Sequence, residues 1–387
     1  MSNKESIEMS RNLRLAFAAI WPPRGGISIK IKAQARAFQQ ILDAGDIRDL
    51  NILTGRQVGE CDRYEFRNRS VDVWNRGKLD TAMNIALRYP RIYHMIWAEA
   101  KGGQITDLYL RKPLVLDVNA VAWFIFFRLR RVRVWMEIPT FPYDGEQRNA
   151  MIKWLDRLAR HFLRFGLHRI VTFSDDTEIF GVQTVRIANG VDLDSVPLRP
   201  ALPRGRAIEL SVVSSLQPWH RTERIFDALQ SYLLAGGRRV ARLNVIGEGP
   251  ELSKLKALAE SSPGLRDRVE FHGSLFEDEL EAALKRTDIG VGNLEELGDR
   301  GIRAVQTLKH RDFAARGIPF IYGMTDPEFT TTPFAYQVPE GQIELGPIVE
   351  WYDSLDNSPE EIRASVAHLD WSQQLRKALG LASDGVL

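Results

Sequence analysis

Short apolar runs alternate with longer amphipathic stretches along most of the chain. Leu13–Ile20 reads as a buried strand and passes through Trp21-Pro22-Pro23-Arg24-Gly25-Gly26 into a helical pattern over Ile27–Leu42. Asn51–Leu53, Ile92–Trp97, Pro113–Leu116 and Val132–Ile138 are further strand candidates. Between them fall a helix pattern near Leu79–Leu87 and the apolar run Ala120–Phe127, which suits a buried helix or strand. Arg169–Phe173 and Thr184–Ile187 read as strands. A second series follows: strands over Glu209–Val213, Val240–Ile246, Arg268–Phe271 and Asp288–Val291, and helices to Leu234, over Glu251–Ala259 and over Glu277–Lys285. This is the βα rhythm of doubly wound sheets, and it puts the loops at Ser214, Gly247, Gly273 and Asn293 on one rim.

Two stretches depart from that rhythm. Gln147–Phe165 carries one apolar stripe, Met151, Trp154, Leu155, Leu158, Phe162 and Phe165, flanked by Lys153, Arg157, Arg160 and Arg164. A core-facing stripe accounts for the apolar residues, while the arginines suit contact with a membrane or an anionic acceptor. Pro197–Arg206 holds three prolines among small and basic residues and reads as a linker. The expected organisation is a first domain over 1–196, a linker over 197–206, a second domain over 207–355 and a terminal helical segment over 356–387.

Composition narrows the classes. A chain of 387 residues suggests two domains, and 44% hydrophobic with 26% charged residues describes a globular protein. A formal net charge of only +2 implies no nucleic-acid partner. The single cysteine, Cys61, excludes an intrachain disulfide and argues against a thiolate zinc site. The seven histidines lack ligand spacing, so no metal is expected. The polar N-terminus lacks a signal-peptide core, and Ala120–Phe127 is shorter than the about 20 residues that cross a bilayer. The expected location is the cytoplasm, with peripheral contact to an anionic membrane face as an option for the Ala120 and Gln147 segments.

Candidate chemistry centres on Thr307–Tyr322 (TLKHRDFAARGIPFIY). Thr307 caps a helix that Gly317 and Pro319 close, before an apolar strand end. Lys309 in the first turn opposes the helix dipole unless a bound polyanion reverses the sign. Its other reading is a solvated ion pair with Asp312. Earlier in the chain, the strand ending at Glu137 runs into Ile138-Pro139-Thr140-Phe141-Pro142-Tyr143-Asp144-Gly145-Glu146, a stiffened loop rich in polar side chains.

These pieces resemble the retaining glycosyltransferases of GT-B fold, and among them the family-four group that builds bacterial surface polysaccharides. The likeness lies in Asn189-Gly190-Val191-Asp192, Gly247-Glu248-Gly249-Pro250, His272-Gly273, and the helix end Asp312 to Pro319. The Gly25-Gly26-Ile27 turn fits as well, as do Glu137–Glu146, Trp219-His220 and the LK followed by an arginine and an acid. The resemblance covers about residues 13–380 and implies an α/β GT-B fold, two Rossmann-like domains facing each other across a cleft. It implies transfer of a sugar from a nucleotide-diphosphate sugar to a glycan or lipid-linked glycan acceptor with retention of configuration. No cofactor or metal is implied beyond the nucleotide sugar itself.

Carried over by position, Asp312, Lys309 and Glu137 would be catalytic. Gly25, Gly26, Ser215, His220, Arg221, Gly273, Ser274, Asn293, Leu294, Thr307 and Leu308 would bind the donor. Thr140, Tyr143, Asp144 and Glu146 would address the acceptor. Three departures stand out: Ser215 replaces the usual arginine, His220 or Arg221 the usual lysine, and Asp312 the later glutamate of a pair whose earlier member falls near Ala304. Lys309, Arg311, Arg303 and Arg221 are the cations left for a diphosphate. A non-catalytic nucleotide-sugar or glycan-binding relative is the alternative.

Overall fold

Strands buried on both faces organise the chain, as parallel sheets between helices require. The computed structural model describes residues 12–23, 26–74, 77, 80, 83–143, 150–203, 205–295 and 304–381. The chain divides into two compact units, residues 1–189 with 371–387, and residues 190–370.

In unit 1, β1 (Arg14–Ala18) leads into α1 (Gly26–Asp43) and β2 (Asp49–Ile52). Three antiparallel strands, β3 (Thr54–Val58), β4 (Cys61–Phe66) and β5 (Arg69–Trp74), form a separate small sheet. Then come α2 (Tyr89–Lys101), β6 (Asp107–Arg111), α3 (Val118–Leu129), β7 (Arg133–Ile138), α4 (Ala150–Arg160), α5 (Leu163–Gly166), β8 (Arg169–Thr172), β9 (Glu178–Ile179) and β10 (Val182–Arg186). The main sheet has the order β2-β1-β6-β7-β8-β10-β9 and is parallel except for β9. Side chains of β1 alternate between two cores: Ala16 and Ala18 join Leu108 and Leu110 on one face, Leu15 and Phe17 join Phe38 and Tyr109 on the other.

Three sequence expectations fail in this unit. Ile92–Trp97 is not a strand but the middle of α2, where Ile92, Tyr93, Met95 and Ile96 are buried at helical spacing. Pro113–Leu116 is not a strand either; the strand is β6, just before it. The apolar stripe of Gln147–Phe165 does not face the core. Asp156 and Ala159 of α4 and Leu163 of α5 turn inward, and Met151, Trp154, Leu158, Phe162 and Phe165 are exposed. The Ala120 run resolves as helix α3, capped by Asp117, whose Oδ1 accepts from Ala120 N at 2.8 Å.

Unit 2 contains β11 (Ile208–Val213), α6 (Glu223–Leu234), β12 (Ala241–Ile246), α7 (Leu252–Ser261), α8 (Pro263–Arg266), β13 (Val269–Gly273), α9 (Glu277–Leu284) and β14 (Ile289–Val291). It continues through α10 (Leu308–Ala315), β15 (Phe320–Tyr322), β16 (Ala335–Gln337), α11 (Leu345–Ser354) and α12 (Pro359–Ser365). Its sheet runs β13-β12-β11-β14-β15-β16, all parallel. Counted from β11, that is the order 3-2-1-4-5-6 of dinucleotide-binding domains. The proline-rich stretch after Pro197 is anchored in this unit, because buried Arg199 donates from Nε to Gly317 O at 2.9 Å. The helical pattern near the C-terminus splits. α12 stays in unit 2, a 3₁₀ turn spans Ala367–Leu369, and α13 (Trp371–Leu379) belongs to unit 1. There Trp371, Leu375 and Ala378 pack with Phe38 and Ile41, and Gln374 Oε1 accepts from Ala188 N at 2.7 Å.

Candidate functional site

In an open parallel sheet, ligands gather beyond the carboxyl ends of the strands where the strand order reverses. In unit 2 the reversal lies between β11 and β14. The first residue past β11 is Ser214, and its hydroxyl is a junction. Lys309 Nζ donates to Ser214 Oγ at 3.0 Å, Leu216 N donates to it at 3.2 Å, and the Ser214 hydroxyl lies 2.6 Å from His220 Nδ1. Gln217 N also donates to that Nδ1, at 3.2 Å. With two donors on Nδ1, the network assigns the ring proton to Nε2.

Neighbouring loops close around this junction. Leu294 N donates to His220 O at 3.2 Å, joining the end of β14 to the turn after β11. Gly247 N donates to Gly273 O at 2.6 Å. Gly247 has φ +127°, and a Cβ there would lie 1.8 Å from Ser214 O, so only glycine admits this approach. The expected rim of strand-end loops is thus assembled.

Helix α10 supplies the cation. Thr307 caps it, its hydroxyl accepting from His310 N at 3.5 Å, and Lys309 follows in the first turn. Burial alone pushes the Lys309 ammonium down to about 8, and among the described residues no carboxylate pairs with it. Beneath it the helix is held by a buried network that sequence reasoning missed. His310 Nδ1 donates to Asp326 at 2.9 Å, and Arg311 reaches the two oxygens of Asp326 at 2.6 and 3.1 Å. Burial raises the Asp326 carboxyl, but His310 and Arg311 outweigh it and hold it low. The backbone N of Asn293 donates to His310 Nε2 at 3.4 Å, and Gly292 leaves room for that ring, since a Cβ would sit 2.5 Å from Nε2.

The remaining expected donor residues divide. His220, Asn293, Leu294, Thr307 and Lys309 come together, with Gly273 one loop away. Leu308 and Ser274 are exposed nearby in the chain. Ser215 is exposed, whereas Ser214 makes the contacts; the even phase of β11, Ile208, Leu210 and Val212 inward, carries on to Ser214. Arg221 Nε is turned to Glu223 at 2.9 Å, and Arg311 is consumed by Asp326, so neither matches the expected diphosphate cation. Asp312 is half-exposed and accepts from Arg316 Nε at 2.9 Å. Gly26 opens α1; Gly25, Arg303, Asp144 and Glu146 lie outside the described residues.

Unit 1 has its own reversal, between β1 and β6. A cavity of about 370 Å³ is lined there by Trp21, Arg111, Lys112, Thr140, Tyr143 and Arg160, among others. It includes two expected acceptor residues, but the Tyr143 hydroxyl is directed to Asp156 at 3.0 Å, so the ring forms the wall. Glu137 is fully buried below. Its oxygens receive Lys30 at 3.0 Å, Arg111 at 2.9 Å, Tyr109 at 2.9 Å and Gln34 at 2.5 Å. Burial raises its carboxyl, yet Lys30 and Arg111 overcome that and hold it at about 2. So saturated, Glu137 orients Arg111 toward the cavity and does not suit the catalytic role expected of it. The larger cavity of unit 2, about 650 Å³, runs mainly along the amino-terminal halves of β11, β12 and β13, away from the reversal rim.

No protein-family model matches the chain, and no curated protein matches its sequence. Solved structures do match. Sucrose-phosphate synthase from Thermosynechococcus elongatus aligns with a TM-score of 0.60 over 96% of this chain and 100% of that one, at 14% identity. A glycosyltransferase from Rickettsia africae aligns at 0.56 over 96% and 97%, with 13% identity. HepE of Anabaena, solved with UDP and glucose, aligns at 0.55 over 95% and 100%, with 14% identity. The fold is GT-B. At these identities the likeness reaches the fold and stops there, so the chemistry of the GT-B chain has to be argued from its own residues.

Proposed function

We propose that this chain is a glycosyltransferase. It transfers a sugar from a nucleotide-diphosphate sugar to a glycan or lipid-linked glycan acceptor, with retention at the anomeric carbon. The observation that carries the reading is Lys309. An ammonium half-buried at a helix N-terminus, without a carboxylate partner among the described residues, is unfavourable unless an anion arrives. It stands at the reversal point of a 3-2-1-4-5-6 sheet. HepE and the other aligned transferases share that fold.

In this reading the diphosphate lies against Lys309, the amide end of α10 and His220 Nε2. As the bond from the anomeric carbon to the diphosphate oxygen lengthens, negative charge grows on the leaving group. A preorganised cation and fixed N–H donors stabilise that charge more than they stabilise the ground state. No metal is needed for this step. The cavity in unit 1, with Arg111 set by Glu137, receives the acceptor, and a lipid-linked acceptor would bring the enzyme to the inner face of a membrane.

The test is incubation with a panel of nucleotide sugars, reading nucleoside diphosphate release with and without a lipid extract as acceptor. Acceptor-dependent release is expected for at least one donor. Tight donor binding with no release across the panel would overturn transfer in favour of a non-catalytic binding protein.

A further inference from the structure

Helix α4 has two faces with opposite tasks. Lys153, Asp156 and Arg160 line the unit 1 cavity, three positions and then four apart. Met151, Trp154 and Leu158 repeat the same spacing two residues earlier, which at 3.6 residues per turn is about 200° around the helix. They point away from the cavity into solvent, and Trp154 is 62% exposed. The stripe continues past the helix end through Phe162 and Phe165, both exposed. Beside it, Arg128 donates to Leu167 O at 2.5 Å, which holds the last turn of α3 close and with it Leu129, 76% exposed.

The exposed charged side chains on α4, on α5 and at the end of α3 have one sign. Arg157 and Arg164 are exposed along α4 and α5, and Arg128, Arg130 and Arg131 follow at the end of α3. The one acid between Ala150 and Gly166 is Asp156, and it is buried, held by Arg160 Nε at 3.0 Å and the Tyr143 hydroxyl. Five large apolar side chains on one surface make a patch that soluble monomers seldom leave open. A second copy of the chain is a poor occupant, because an isologous contact would set cationic rim against cationic rim. A surface that is apolar in depth and anionic at its edge fits both features.

We propose that this face of α4 and α5 docks on a bilayer containing acidic phospholipids, the apolar stripe seated among the acyl chains and the arginines among the headgroups. The contact is interfacial, and among the described residues no helix is long and apolar enough to cross a membrane. Docking leaves the opposite face of α4 to serve the cavity.

The experiment is co-sedimentation with vesicles of phosphatidylcholine alone and of phosphatidylcholine mixed with phosphatidylglycerol, at low and raised salt. The full chain is compared with Trp154→Ser/Leu158→Ser, and light scattering on both gives the oligomeric state. Binding to the phosphatidylglycerol vesicles is expected to weaken with salt and to fall about tenfold or more in the double variant. Circular dichroism and the thermal unfolding transition, measured in solution, are expected to match between the two proteins, which shows the variant folded and keeps this result apart from the sugar-transfer reading. No binding to acidic vesicles, binding that the substitutions leave unchanged, or a dimer lost in the variant would overturn the proposal.

Discussion

The two strand-order reversals of this molecule treat charge in opposite ways. At the unit 1 reversal, the buried acids Glu137 and Asp156 are matched before any ligand arrives: Glu137 by Lys30 and Arg111, Asp156 by Arg160 and by Lys112 at 3.4 Å. In unit 2, the acid Asp326 is matched by His310 and Arg311, yet the adjacent Lys309 meets, among the described residues, a serine hydroxyl and no carboxylate. The first arrangement holds a scaffold; the second leaves a positive charge looking for a partner. Similar sheets therefore carry different duties, and the difference lies in which cation remains unneutralised.

The sharpest way to break that contrast is to remove the acid from the matched side. Glu137→Gln leaves Lys30 and Arg111 buried against a neutral amide, and breaking a buried pair in this way costs about 3–5 kcal/mol. Chemical denaturation should show that loss at neutral pH. The folded carboxyl, held at about 2, lies below the ordinary value of 4.5. Its stabilisation is therefore complete above the ordinary value and disappears as pH falls toward the folded one. The gap between wild type and variant should close over that acid range. A gap that stays constant with pH would mean that the charge of Glu137 does not hold the cluster together.

On the other side the sign reverses. The Lys309 ammonium, lowered to about 8 from 10.5, costs stability while it is charged, and that cost is relieved as pH rises between those values. Lys309→Met should therefore leave neutral-pH stability equal or higher, in contrast with Glu137→Gln. Its loss should appear in binding: nucleoside diphosphate affinity falls by about 1.5–3 kcal/mol, the worth of a charged hydrogen bond. Wild-type affinity should hold steady up to pH about 8 and decline above it, since the bound anion favours the protonated amine. The variant should lack that decline. Calorimetric titration across pH reads both, and a variant that binds as well as wild type would take Lys309 out of the site.

Much of this was legible in the chain, for reasons specific to each element. The unit 2 strands are short apolar runs bounded by glycines and helix patterns, so their ends and the loops at Gly247, Gly273 and Asn293 could be placed from period alone. The Ser214 loop was placed on the rim, but the donor contact was given to Ser215, although the alternation of β11 pointed to Ser214. Ile92–Trp97 misled because a six-residue apolar run suits a strand and a buried helix equally well. The β3–β5 sheet went unread despite the alternation at Tyr64 and Phe66, which are buried, and Arg63 and Glu65, which are not. For α4, amphipathy identifies a stripe but carries no information on what covers it. Networks such as His310–Arg311–Asp326 join residues that only the folded backbone brings together.

The smallest expected change in stability tests Asp312, whose place beside Lys309 in α10 suggested a catalytic role. Its partner Arg316 is buried, but the carboxylate itself is half-exposed, so the pair is partly screened and worth about 0–1 kcal/mol. Arg316 also keeps Glu281, which limits the damage if Asp312 becomes neutral. Asp312→Asn should thus barely move the denaturation midpoint. If the side chain touches the donor, sugar transfer drops all the same, with nucleoside diphosphate affinity preserved through Lys309. Unchanged turnover would confine Asp312 to an ion pair on the side of α10 and leave the matched and unmatched cations as the whole of the electrostatic difference between the two units.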